Sequence, residues 1–110
     1  MKSILTGAFA IFCTFIVSSN AMAIEEYELL IKDHQFQPSE LSIPAGQKVK
    51  LNIKNLDDTP EEFESDELKR EKVIMGKASA SVFVGPLEPG VYPFVGEFHP
   101  DTAQGKIHVK

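Results

Sequence analysis

The chain has 110 residues, sixteen acidic against eleven basic, and a formal net charge of −5. That balance disfavours nucleic acid as a partner, because phosphate binding needs clustered positive charge. The single cysteine, Cys13, lies in the first apolar stretch, so no disulfide, thiolate ligand or cysteine nucleophile is available to the rest of the chain.

Met1–Ala23 reads as a secretory signal peptide. Lys2 gives the positive start, Ile4–Val17 the apolar run, and Ala21-Met-Ala23 a small-residue cleavage pattern. The run is too short to span a bilayer comfortably. Phe12 before Cys13 argues against a lipid anchor. Cleavage after Ala23 is expected, leaving one domain over residues 24–110 that is periplasmic and soluble rather than membrane-spanning.

From there, alternation dominates. Glu28–Lys32 sets Leu30 opposite Leu29 and Ile31, and Leu41–Ile43 is a short strand stopped by Pro44-Ala-Gly46. In Lys48–Lys54, Val49, Leu51 and Ile53 face one way and the lysines and Asn52 the other, as in a half-buried strand. Asp57–Glu71 holds eight of the sixteen acids, with room for a helical turn at Glu64–Arg70. A focused negative segment suits cations or a basic partner, or simply solvates a loop. Lys72–Met75 and Ser79–Val84 flank Gly76-Lys77, and Gly90–Gly96 and Gly105–Lys110 follow the break at Pro86–Gly90. Short strands with Gly/Pro turns predict an all-β antiparallel sandwich. If successive strands alternate in direction, His34, Glu61, Glu62, Glu97 and His99 share one rim.

Two stretches, Phe36-x-Pro-x-x-Leu41-x-Ile-Pro-Ala-Gly46-x-x-Val49-x-Leu-x-Ile-x-Asn55 and Gly90-x-Tyr92-x-Phe94 through His99 to Gly105-x-Ile-x-Val, resemble the cupredoxin family over nearly all of residues 24–110. More narrowly, Thr59-Pro-Glu-Glu-Phe-Glu-Ser65, Leu68-Lys-Arg-Glu-Lys72 and Glu97-Phe-His-Pro resemble a cysteine-free subgroup found with bacterial ferrous-iron uptake systems. The resemblance implies a Greek-key β-sandwich and a bound copper or iron ion. It also implies two partners, an inner-membrane iron permease complex and a periplasmic iron-binding protein, with ferrous iron oxidised or handed over. By the same resemblance the family's first histidine falls at Glu61, its cysteine at Gly96 and its axial methionine near Gln104, leaving His99 alone of the usual ligands.

Without a thiolate, blue-copper electron transfer is excluded, whereas carboxylate and imidazole suit Cu(II), Fe(II), Mn(II) or Zn(II). The expected metal ligands are therefore His99, Glu61, Glu97 and His34. Glu61 shares its parity with Phe63, which belongs in the core, and so points inward. Glu97 lies on the outward parity unless the strand has already bent, and His34 is either a ligand or a surface-loop imidazole. Glu62 and Met75 stay open, and His108, opposite Ile107 and Val109, faces solvent. A non-catalytic metal carrier and a metal-free interaction module are the rival readings; hydrolase chemistry has no supporting triad.

Overall fold

Alternating apolar side chains lay down nine strands in the computed structural model, which describes residues 23–110. They are β1 (Glu25–Lys32), β2 (Gln35–Gln37), β3 (Glu40–Ile43), β4 (Val49–Asn55), β5 (Glu61–Ser65), β6 (Arg70–Ile74), β7 (Ser79–Val84), β8 (Gly90–Gly96) and β9 (Gln104–Val109). The signal-peptide expectation falls on residues outside this description. Among the described residues no helix is long and apolar enough to cross a membrane.

Two sheets face each other, one in the order β2-β1-β4-β7 and the other β3-β9-β8-β5-β6. The all-β sandwich follows from the alternation, but its strands are not all antiparallel: β1 pairs with β4, and β3 with β9, in parallel. The chain leaves one sheet between β2 and β3 and re-enters it at β4. Such a crossover returns β4 beside β1 pointing the same way, and a rule of simple up-and-down neighbours misses it.

Two strands were hidden in the sequence. β2 is only three residues long, and β5 carries three glutamates, a residue type depleted in strands. The turn expected within Glu64–Arg70 is shorter than that span: β5 ends at Ser65, β6 starts at Arg70, and between them the Lys69 N–H donates to the Asp66 carbonyl at 3.2 Å. Ser65 closes the turn between them: its Oγ donates to the Pro93 carbonyl at 2.7 Å and accepts from the Leu68 N–H at 3.1 Å. Leu68 dips into the core, and Lys69 takes a left-handed φ of 53°.

Leu29, Ile31, Val49, Leu51 and Ile53 of one sheet meet Phe63, Phe94, Ile107 and Val109 of the other, all buried. At the centre Phe36 sets its edge toward Phe63 and Phe94, with ring centroids 6.1 and 5.0 Å away, and Phe63 tilts over Phe94 at 5.1 Å. These separations suit edge-to-face packing. Each phenylalanine lies two residues from a position at one end of the sandwich: His34, Glu61 and Gly96. Because strand side chains repeat every two residues, the inward parity of Phe63 and Phe94 carries on to Glu61 and Gly96.

The outward parity of β5 is acidic. Glu64 faces Glu71 across the β5–β6 pair and Val95 across β5–β8. A hydrogen bond with Glu97, then burial and the charges of Glu97, Glu71 and Asp66, push the Glu64 carboxyl up to about 7. Glu62 is raised as well, by burial first and then by Glu71. Since the Glu64 value in the fold lies above the ordinary 4.5, the folded chain keeps a proton that the unfolded chain releases, and stability falls as pH rises through that window. Glu64→Gln should therefore raise the melting temperature more at about pH 8 than at about pH 5, read by thermal melts in metal-free buffer. Equal effects at both pH values would contradict this shared-proton ladder.

Candidate metal centre

Glu61 is the anchor of the site. It opens β5 on the inward parity, and its side chain is only 2% exposed. A carboxylate in such a place has to be fully bonded, since burying an unpaired charge is costly. Its Oε1 accepts backbone N–H groups from Phe98 at 2.9 Å and from Glu62 at 3.1 Å. Its Oε2 lies 2.6 Å from Nδ1 of His99, a charge-assisted hydrogen bond. One oxygen is thus consumed by the backbone and the other is turned toward imidazole.

Room for that carboxylate comes from Gly96. A Cβ there would stand 2.7 Å from Glu61 Cδ, 2.9 Å from Glu61 Oε1 and 2.5 Å from the Ala103 Cβ. The carboxylate fills the space a side chain at this position would need. Beyond Gly96 the loop to β9 folds back on itself: the Gly96 N–H donates to the Ala103 carbonyl at 2.8 Å, and the Ala103 N–H to the His99 carbonyl at 2.9 Å. Gln104 Nε2 ties the loop to the Pro100 carbonyl at 2.9 Å. This tight loop holds the His99 ring, 31% exposed, over the buried oxygen.

His34 reaches the same place from the other sheet. Lys32 faces Gln35 across β1 and β2, so Asp33 and His34 are the whole connection, and both have left-handed φ, 52° and 59°. The His34 ring stacks on His99 with centroids 3.6 Å apart and planes 16° apart. One potential ligand atom from each of His34, Glu61 and His99 lies within 4.8 Å of the others.

Asp57 backs this turn. Its two oxygens accept the Asp33 N–H at 2.8 Å and the His34 N–H at 3.0 Å. Burial alone would push its carboxyl up; the two N–H bonds from His34 and Asp33, helped by the charges of His34 and Lys77, hold it below the ordinary range.

Of the four expected ligands, the structure brings His34, Glu61 and His99 together and leaves Glu97 apart. The Glu97 N–H pairs with the Glu62 carbonyl at 2.8 Å, so β-type alternation persists past Gly96, and the Glu97 side chain turns outward to Glu64. Glu62 belongs to that same outer group with Glu64 and Glu71. Met75 is 61% exposed beyond β6, and His108 pairs with Glu40 on the surface at 2.9 Å. The sequence reading passed over Asp57 and Asn55. Asn55 is fully buried, with Nδ2 on the Thr59 and Ile74 carbonyls and Oδ1 receiving the Asp57 N–H. An asparagine continuing the inward parity of Val49, Leu51 and Ile53 is the one signal that could have marked it.

Comparison with known proteins agrees with this architecture. A protein of Rickettsia prowazekii (strain Madrid E), named only as uncharacterized, is 49% identical over 86 residues, which is 78% of this chain and 69% of that protein. Auracyanin A, a "blue" copper protein of Chloroflexus aurantiacus, superposes with a TM-score of 0.69 at 16% identity, over 80% of this chain and all of that one. The metal-binding domain of the Streptococcus pneumoniae Cu(I)-exporting P-type ATPase CopA, solved with Cu(I), gives 0.68 at 13% identity, over 79% and 86%. Amicyanin from Paracoccus versutus gives 0.60 at 18%, over 82% and 83%. At these identities the three structures speak for the fold. A family model described as a cupredoxin-like domain matches residues 5–109, nearly the whole sequence, and the chain belongs to that family.

Proposed function

We propose that this protein binds a copper or iron ion through Glu61, His99 and His34, a site of oxygen and nitrogen donors with no thiolate. The observation that carries the reading is the buried Glu61 carboxylate, with one oxygen fixed by two N–H groups and the other directed at His99, beside a stacked second imidazole. These donors fit the chemistry of divalent first-row ions, and residues 23–110 contain no cysteine to build a blue-copper centre. A bound copper or iron ion supplies one-electron redox chemistry. Glu61 supplies negative charge from a rigid position, His99 and His34 supply neutral nitrogen, and Gly96 keeps the space open for the carboxylate. For an ion to bind both His99 Nδ1 and Glu61 Oε2, the proton in their 2.6 Å contact has to move elsewhere, to His99 Nε2 or to solvent.

In the finer form of the proposal the protein is periplasmic and assists oxidation of ferrous iron, or its hand-over to an iron permease complex alongside a periplasmic iron-binding protein. The Thr59–Ser65 and Glu97-Phe-His-Pro resemblances support this role, as does a donor set free of sulfur. A non-catalytic carrier is the alternative. It would bind the ion equally well, yet ferrous iron would oxidise no faster than with the same free metal in buffer.

Anaerobic titration with Cu(II) and Fe(II), followed by absorbance and thermal melting, tests the site. At about one hundred times Kd the ion should raise the melting temperature by roughly 10–20 °C, with no intense blue band. His99→Ala and Glu61→Gln should each weaken binding by at least about 100-fold, the upper range for losing even an outer partner of a ligand. Unchanged affinity in both variants would end the assignment. Gly96→Ala should cost about 1–3 kcal/mol by overpacking against Ala103 and Glu61. It should also weaken metal binding about tenfold by pushing the carboxylate off its two N–H donors; calorimetry on the folded variant reads both.

A further inference from the structure

A two-residue hairpin connection of type I′ has left-handed φ at both central positions, and the usual solution is Asn-Gly or Asp-Gly, because glycine has no Cβ to clash there. The connection between β1 and β2 has Asp33 first, a residue that tolerates this region, but His34 second, at φ 59°. Histidine enters this region more often than most residues, yet its Cβ still makes it a costlier choice than glycine there. Such choices persist where the surroundings enforce them and the side chain has a task.

The enforcement is visible. Both Asp57 oxygens cap the two N–H groups of the turn, and Oδ2 also lies 3.6 Å from His34 Nδ1. Asp57 is itself held from the core, because its N–H donates to Asn55 Oδ1 at 3.0 Å and its carbonyl accepts the Lys77 N–H at 2.9 Å. Fully buried Asn55 is pinned in turn by the Thr59 and Ile74 carbonyls, at 2.9 and 3.1 Å. A continuous run of hydrogen bonds therefore leads from the interior to the tip that carries His34, and ends in the 3.6 Å stack on His99.

We propose that Asp57 is the positioning residue of this site, holding a strained turn whose purpose is to lay the His34 imidazole over His99. The metal-binding half of this inference rests on the function proposed above; the turn half does not.

The experiment compares full-length wild type with His34→Gly, His34→Ala, Asp57→Ala, the Asp57→Ala/His34→Gly double variant, and Glu61→Gln. Metal-free melting and Cu(II) titration are the two readouts. Glycine and alanine both lack the ring, but only alanine keeps the Cβ, so His34→Gly should melt above His34→Ala by roughly 4 °C. Both should lose Cu(II) affinity to a similar degree, about tenfold or more. Asp57→Ala should weaken Cu(II) about tenfold, as losing a partner that orients a ligand does. It should also abolish the ring-current shift of the His34 protons over His99. Its loss in melting temperature should be smaller in the His34→Gly background, where the turn needs less enforcement.

The inference is overturned if His34→Gly melts no higher than His34→Ala. It is equally overturned if Glu61→Gln loses Cu(II) binding while the His34 and Asp57 variants keep it. Should Glu61→Gln bind as wild type does, the metal assignment fails instead, and the melting comparison still decides the turn.

Discussion

A charged group removed from water at the end of an apolar sandwich dictates the surroundings of this site. Glu61 could not be buried there without three hydrogen-bond partners and a neighbour with no side chain to contest its space. Two of those partners are backbone N–H groups, from Glu62 and Phe98, so the chain on either side of the β5–β8 contact is committed to serving one oxygen. Gly96 is the matching concession on β8. The carboxylate and the glycine are a single arrangement seen from two strands, and neither makes sense alone.

Beneath that arrangement the aromatic trio acts as a floor. Phe36, Phe63 and Phe94 come from β2, β5 and β8, and so tie the two sheets together directly under the rim. Tight packing leaves little freedom for rotation of one element past another. The positions two residues beyond Phe63 and Phe94 inherit this rigidity through the strand pleat. His34 inherits less, because it sits on a turn, and the hydrogen bonds of Asp57 and Asn55 make up the difference.

Much of this was legible beforehand. Clean alternation in Lys48–Lys54 and the turn signal before Ser79–Val84 identified strands, and parity with Phe63 sent Glu61 inward. Parity also warned that Glu97 points outward, and it does, into the company of Glu64. What stayed hidden depended on partners distant in sequence. The parallel pairings of β1 with β4 and β3 with β9 follow from a crossover that no local pattern encodes. β5 was obscured because its buried face, Glu61, Phe63 and Ser65, carries a single apolar residue, and its wet face adds two more glutamates. Asp57 read as one acid among eight; its role appears only when the Asp33–His34 turn, more than twenty residues away, is brought alongside it.

The three facing groups come from the β1–β2 connection, the start of β5 and the loop between β8 and β9. No fragment of the sequence shorter than about three fifths of its length, from His34 to His99, contains them all, a consequence of building one site from non-local pairings. Nascent or unravelled chain consequently offers only scattered single donors, and an ion held by all three would report that both layers have closed.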